Sequence, residues 1–378
     1  MITPFCYLHA NSEIFEDNID YLLAQMVDKE RIIQLSFFGI STEDRYEEDL
    51  FTIKSAVSFA FGARMPLITY IVQSLENPDE MAVEVHYLPV DISSESVVYK
   101  ERRNVRYAVL EWNSHKSLII EGVRSDSSHD SLSAQSDHIF QKIEEILSEE
   151  EMHIHEIVRQ WNYIGQITEI NNGIQNYQAF NNARARFYAK TTWEEFGYPA
   201  ATGIGMSIHG IIVGLIAVSN RSDIRIYPID NPLQVTAHHY SSSMLVGAQK
   251  VNSKNETPKF ERAKVVQGDS GMICYISGTA AIRGEQSMRE MDVALQTRQT
   301  IENIIYLISA ENIKRHGVSS EGFLFMSGLR VYIKRNAYFS LVKAEVEKVW
   351  SKIPIIYVQA DICRSELLVE IEGVAVGV

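Results

Sequence analysis

Arg106-Tyr-Ala-Val-Leu-Glu-Trp112 is followed closely by Ser117-Leu-Ile-Ile-Glu-Gly-Val123. Far downstream, Arg262-Ala-Lys-Val-Val266 is followed by Cys274-Tyr-Ile-Ser-Gly-Thr-Ala280. Sixteen residues separate Arg106 from Gly122, and sixteen separate Arg262 from Gly278. Each stretch alternates apolar and polar residues around a polar or glycine-containing turn, which predicts a β-hairpin. After each hairpin, apolar residues at i, i+3, i+4 predict a helix, over Ile139–Leu147 in one copy and Val293–Ile308 in the other.

A strand then follows in each copy (Arg159–Ile164; Leu329–Lys334), a second amphipathic helix (Tyr177–Ala189; Tyr338–Trp350), and a strand pair opening at Pro199 or Pro354. The chain is thus expected to hold two β-β-α-β-α-β-β units of α+β class, each a sheet backed by two helices. The expected division is residues 1–99, 100–228 and 229–378. The first segment offers a helix at Glu47–Phe61 and strands at Pro66–Gln73 and Met81–Leu88, the pattern of a degenerate further unit. Ser125–Ser136 and Asn252–Pro258 read as polar loops.

The two copies differ near their ends. Nine residues beyond the prolines stand Ile208 and Cys363; sixteen beyond stand Leu215 and Glu370. The second copy therefore carries an acid and a thiol where the first carries aliphatic residues. In Val369-Glu370-Ile-Glu372 the two carboxylates alternate along a strand and share one face. Burial of that face would raise a carboxyl pKa and keep a proton donor loaded near neutral pH.

The 378 residues carry a formal charge of −14, are 46% hydrophobic and 22% charged, and hold no basic run. Nucleic acid and anionic membranes are poor partners for such a surface. Cys6, Cys274 and Cys363 are too few and too far apart for a disulfide framework or a metal pair, and they suit a reducing compartment. The opening residues lack the features of a signal peptide, no apolar run reaches transmembrane length, and a cytoplasmic protein is expected. His238 and His239 read as neighbours on a strand, pointing to opposite faces. His153 and His155 share a face but lack a third ligand, and no metal or other cofactor is expected.

Phe260-Glu-Arg-Ala-Lys-Val-Val, Ile276-Ser-Gly-Thr-Ala and Val369-Glu-Ile-Glu-Gly-Val-Ala are similar to the opening strand, turn and final strand of the YjgF/RidA fold. A two-copy chain of this kind resembles the chorismatases more specifically. The motifs that carry this resemblance are Trp161-Asn-Tyr-Ile, Tyr177-Gln-Ala-Phe-Asn-Asn-Ala-Arg184, Tyr198-Pro-Ala-Ala-Thr-Gly-Ile-Gly205, Gln234 through Tyr240, Thr257-Pro-Lys-Phe-Glu-Arg-Ala, Asp292-Val with Gln296, and Ala360-Asp-Ile-Cys-Arg with Glu370. They cover roughly residues 100–378. The chain departs from the family's pattern at Gly284-Glu285-Gln286, where Gly-His-Glu is usual, and at Tyr240-Ser-Ser-Ser-Met-Leu-Val-Gly.

The resemblance implies tandem YjgF/RidA-like units and an enzyme that cleaves the enolpyruvyl ether of chorismate. Pyruvate and a cyclic product would leave, either 3-hydroxybenzoate or a dihydroxycyclohexadienoate. It implies Glu370 as the acid that protonates the vinyl carbon, with Arg184 and Tyr240 gripping a carboxylate of this small dicarboxylate. Cys363, Thr279 and Ala280 would face the ring. The thiol favours the aromatic product and Ala280 the diene, so the product is open.

Arg364 alternates to the face opposite Cys363 on a regular strand and is a weak candidate. A RidA-type imine or enamine deaminase would place an arginine where Ile355 stands, and a non-catalytic binding member of the fold would have no use for Glu370. The fold also implies a homo-trimer, part of which tandem units could close internally.

Overall fold

The structure, a computed structural model, describes residues 5–377 except 90–91, 113–114, 128–129, 195, 220–223, 242–254, 270, 289–291 and 319–322. The first sheet is built from β1 (Phe5–Asn11), α1 (Phe15–Gln25), β2 (Ile32–Gly39), α2 (Tyr46–Phe61), β3 (Leu67–Val72) and β4 (Glu80–Tyr87). Its strand order is β1-β4-β2-β3. β2 and β3 run parallel, which requires a crossover, and α2 supplies it.

The second sheet holds β5 (Val97–Arg102), β6 (Val105–Trp112), β7 (His115–Val123), α3 (Leu132–Glu149) and β8 (Ile157–Gly165). After a two-residue hairpin, β9 (Ile170–Asn171) with β10 (Ile174–Gln175), come α4 (Asn176–Tyr188), β11 (Ala200–Met206) and β12 (Ile211–Val218). Its order is β11-β8-β12-β7-β6-β5. The third sheet holds β13 (Arg225–Ile229), β14 (Ala263–Gly268) and β15 (Gly271–Ala280), followed by the small pair β16 (Ile282–Arg283) and β17 (Gln286–Ser287). It continues through α5 (Val293–Leu307), α6 (Ala310–Arg315), β18 (Phe325–Ile333), α7 (Phe339–Glu347), β19 (Ile355–Gln359) and β20 (Val369–Gly377). Its order is β13-β14-β15-β20-β18-β19.

The α+β class and the helix-backed sheets are as expected, with one addition. Each full sheet has six strands, because β5 and β13 extend the hairpins as edge strands. The order β1-β4-β2-β3 repeats as β7-β12-β8-β11 and again as β15-β20-β18-β19, so the first sheet is this pattern without the leading hairpin strands.

Each helix layer closes its own core. Ile139, Phe140, Ile143, Ile146 and Leu147 line one face of α3, at helical spacing, and meet Phe180 and Phe187 of α4 over the second sheet. Ser131 caps α3, its Oγ accepting from Ala134 N–H at 3.3 Å; Asp292 caps α5, accepting from Leu295 N–H at 2.8 Å. Val293, Ile301, Ile304 and Leu307 of α5 pack with Val342 and Val346 of α7 over the third sheet. Among the described residues no helix is long and apolar enough to cross a membrane.

The sheets turn their other faces toward one another. Tyr163, Ile212, Tyr332, Ala280, Phe38 and Ala82 share one buried cluster drawn from all three. Loops after the parallel edge strands tie the ring together. Ser207 N–H donates to Val72 O at 2.9 Å, Gly205 N–H to Asp361 O at 2.8 Å, and Gln359 N–H to Ser74 O at 2.7 Å. One chain thus completes the three-sheet ring without a second copy.

Strand register corrects the pairing of Leu215 with Glu370. Glu370 lies opposite Tyr332 on the inner face, whereas Leu215 lies opposite Gln160 and packs under the helices. The residue opposite Tyr163 is Ile212, and the residue opposite Phe38 is Ala82. Glu370, Ile212 and Ala82 are therefore the three equivalent positions around the ring, and only one of them is polar.

Candidate active site

A cavity of about 70 Å³ lies where the second sheet's edge meets the third sheet's inner face. From the second sheet, Tyr177, Asn181 and Arg184 reach it along one face of α4, at i, i+4 and i+7. From the third come Ala280, Cys363, Arg364 and Glu370, and from the connecting segment Tyr240, Phe260 and Arg262. A larger cavity exists elsewhere, at the ring's centre, but Glu370 is not part of its wall.

Glu370 is 4% exposed, and burial raises its pKa to about 8. The neighbouring Glu372 raises it further, while Arg159 and Arg262 pull in the opposite direction. Desolvation wins, so the carboxyl is protonated at neutral pH. Glu372 itself sits in a fixed network: Arg159 Nη2 donates to it at 2.5 Å, Trp161 Nε1 at 3.0 Å and Tyr332 O–H at 3.1 Å, and Thr202 O–H also donates. The two carboxylates of the strand share a face, as expected, in different environments.

A raised folded-state pKa has a stability consequence of definite sign. Between the unfolded value near 4.5 and about 8 the folded state holds more protons, so stability falls as pH rises through that window. Glu370→Gln should therefore raise Tm at pH 9, on the order of 1–3 kcal/mol in stability, and leave it nearly unchanged at pH 5. Thermal unfolding at the two pH values measures this directly.

Two glycines make room. A Cβ on Gly278 would come within 3.0 Å of Glu370 Cδ and 3.1 Å of Thr202 Cγ2, and a Cβ on Gly203 within 2.7 Å of the Tyr177 ring. Gly278→Ala should destabilise by about 1–3 kcal/mol by overpacking, readable as a drop in denaturant midpoint at unchanged slope.

Arg184 is 1% exposed; its Nη2 donates to Asn181 Oδ1 at 2.7 Å and its Nε has no partner. Arg262 is also buried, donating to Tyr240 Oη at 2.6 Å and Val235 O at 2.7 Å, again with an unpartnered Nε. Among the described residues neither guanidinium has a carboxylate partner within ion-pair distance. Two buried cations without counter-ions, beside a neutral acid, make an anion-receptive cavity.

Cys363, Ala280 and Tyr240 line this cavity alongside Glu370 and Arg184. Thr279 does not: one step along β15 from Ala280, it turns to the other face and its hydroxyl donates to Ser277 O at 2.9 Å. Burial and the nearby Glu370 push the Cys363 thiol up to about 12, so at neutral pH it is a thiol and not the thiolate that base or nucleophile chemistry requires.

Other expectations are corrected. Residues 363–366 are bends and turns, not strand, which brings Arg364 to the cavity wall and over the Tyr240 ring at 5.2 Å. His238 and His239 belong to a short 3-10 turn, Ala237–His239, with their rings 4.4 Å apart. Ile355 packs toward the helix-side core, so no group at that position meets Glu370. The departing run from Tyr240 passes beyond the described residues at 242. The sequence pattern alone does not mark Arg262 or Tyr177 as site residues, although both stand in family-like motifs; Arg262 reads as the opening of a hairpin, and nothing in the local pattern marks it as buried.

Residues 93–217 match the family model described as chorismatase FkbO/Hyg5-like, N-terminal. Among curated proteins, the chain is 34% identical over 233 residues to a 3-hydroxybenzoate synthase of Streptomyces hygroscopicus, covering 60% of this chain and 65% of that protein. It is 32% identical over 220 residues to a chorismatase of the same organism, covering 57% and 60%. The matches thus span just under two thirds of these relatives. A chorismatase crystal structure superposes over 99% of both chains with a TM-score of 0.70 at 22% identity, which establishes the fold. Residues 93–217 are thus similar to the FkbO/Hyg5-like chorismatase N-terminal domain, and the chain shares its fold end to end with the chorismatase of that crystal structure.

Proposed function

We propose that this chain, with its chorismatase-type N-terminal domain and fold, cleaves the enolpyruvyl ether of chorismate and releases pyruvate with a cyclic acid. The observation that carries this reading is a buried, protonated Glu370 in one cavity with two buried guanidinium groups that have no carboxylate partner among the described residues. A dicarboxylate with an acid-labile vinyl ether satisfies both features.

Arg184 and Arg262 hold the carboxylates, with Tyr240 fixing Arg262 through its hydroxyl. Glu370 gives its proton to the vinyl CH2, the ether carbon becomes an oxocarbenium ion, and the new Glu370 carboxylate faces that charge. Addition of water to the oxocarbenium carbon returns a proton to Glu370 and gives a hemiketal, whose collapse breaks the C–O bond to the ring and leaves pyruvate and the dihydroxycyclohexadienoate; loss of water from the latter gives 3-hydroxybenzoate. The protein's own residues supply the acid and the anion grip, and the reading uses no cofactor.

Because the acid must be protonated, kcat/KM should be level below about pH 8 and fall about tenfold per pH unit above it. A stopped assay for pyruvate across pH 6–10 tests this, and a rate rising through that range would overturn Glu370 as the acid. Cys363 presents an S–H and its bulk to the ring. Cys363→Ala should shift the proportion of 3-hydroxybenzoate to dihydroxycyclohexadienoate, read by mass, while pyruvate release changes by less than about tenfold. An unchanged ratio would remove Cys363 from control of the product.

The described wall residues of the cavity come from the second and third sheets and the segment that joins them. The division of the chain at residues 99 and 228 falls inside β5 and β13. We place the units instead at sheet limits, β5 opening the second and β13 the third. The unpaired cysteines and acidic surface fit a cytoplasmic enzyme.

A further inference from the structure

The two places where the chain departs from the family's pattern, Gly284-Glu285-Gln286 and the run from Tyr240, meet at one hairpin. β16 and β17 pair Arg283 with Gln286, which leaves Gly284 and Glu285 as a two-residue turn. Gly284 sits at φ 59°, the left-handed conformation that such a turn needs. The base of the hairpin is anchored to α5, where Asn303 Nδ2 donates to Ala280 O at 3.0 Å and to Ile282 O at 3.2 Å. Gly284 also pairs with the segment leading to Tyr240. Its N–H donates to Leu233 O at 3.0 Å, and its carbonyl accepts from Val235 N–H at 2.8 Å.

Two pieces of the cavity wall are tied to this hairpin's tip. One Glu285 carboxylate oxygen accepts from Ser241 N–H at 2.8 Å, and the other from Ser241 O–H at 2.7 Å. Those hydrogen bonds hold the carboxyl below the usual carboxylate range, and the nearby Arg364 adds to the effect. The Glu285 carbonyl accepts from Arg364 Nη1 at 2.9 Å, as does Ser287 Oγ at 3.1 Å. Ser241 directly follows Tyr240, whose hydroxyl accepts from Arg262 and whose ring lies 5.2 Å from the Arg364 guanidinium. Tyr240, Arg262 and Arg364 all line the cavity; Glu285 is not among its described wall residues.

We propose that Glu285 is a positioning residue for carboxylate binding: it latches Ser241 to the hairpin, keeps Tyr240 on Arg262, and so fixes where that guanidinium meets the substrate. This rests on the chorismate reading above and adds to it a residue that touches no substrate. Glu370 has no part in these contacts, so the latch acts on binding and not on proton transfer.

Glu285→Ala should raise KM for chorismate on the order of tenfold, with kcat within about threefold and an unchanged thermal midpoint. Glu285→Gln can still bond both Ser241 groups, the hydroxyl now accepting, so its KM should stay within about threefold of wild type. A KM that falls in both variants would mean that the Glu285 charge only repels the substrate, and would overturn the latch. Ser241→Ala loses the O–H and keeps the N–H, so it should raise KM by less than Glu285→Ala. The double variant should be no worse than Glu285→Ala alone, and additive effects would overturn the proposal.

Chorismate binding to Glu370→Gln, measured by calorimetry, separates the latch from the reading beneath it. Weaker binding in Glu370→Gln/Glu285→Ala supports the latch even where wild type releases no pyruvate. Pyruvate release with KM and binding unchanged in Glu285→Ala would overturn the latch and leave the reading standing. No binding of chorismate at all would overturn both.

Discussion

Glu370→Gln should abolish pyruvate release from chorismate, lowering kcat by about 10²–10⁴-fold without raising KM by more than a few-fold. Glutamine keeps the size and hydrogen-bonding shape of a protonated carboxyl, so the cavity persists and the substrate still binds. What disappears is the transferable proton. The same variant should be more stable at pH 9, since the folded protein no longer buries a carboxyl that ionises near pH 8. Loss of activity together with that gain in stability distinguishes a missing proton from a damaged fold. Full turnover in Glu370→Gln would end the mechanism.

Arg184→Ala should act mainly on binding. A buried charge-assisted hydrogen bond to a carboxylate is worth about 1.5–3 kcal/mol, so KM should rise roughly tenfold to a hundredfold, with kcat falling less. Among the described residues Arg184 donates a side-chain hydrogen bond to Asn181 and forms no ion pair, so its removal breaks none. A thermal midpoint within a few degrees of wild type is expected. Arg184→Lys should recover little, because an ammonium cannot reproduce the planar fork. If KM stays at the wild-type value in Arg184→Ala, the substrate carboxylate is held elsewhere, with Arg262 the next residue to replace.

Much of the architecture is legible because glycine and hydrophobic spacing repeat. Gly122 and Gly278 both lie at register shifts in their strands, and so preserve the sixteen-residue interval. The helices follow from apolar periodicity to within a few residues, except for α3, whose first turns begin in the serine-rich stretch read as loop. The edge strands were hidden, since Val97–Arg102 is largely exposed and lacks a buried apolar face. The first sheet also resists repeat counting, because it lacks the hairpin and glycine that mark the other two.

Site residues divide along similar lines. Glu370 was findable from charge on a strand in an apolar setting, but counting paired it with the wrong residue. Between β11 and β12 lie residues 207–210, and between β19 and β20 residues 360–368. A longer loop breaks any count taken from the prolines. That same loop brings Cys363, Arg364 and Leu367 to the cavity, so the element that spoiled the alignment is what encloses the acid. The buried Arg262 and the half-buried Arg364 both pack against the Tyr240 ring, a contact between residues far apart in the chain that local pattern does not record.

The equivalence of Glu370, Ile212 and Ala82 bears on how such a protein can change over time. In a ring of identical subunits every substitution appears at all three junctions at once, so an ionisable side chain gained at one is imposed on the others. Written three times in a single gene product, each junction mutates independently. Two can be sealed with hydrocarbon for rigidity while the third is free to explore chemistry.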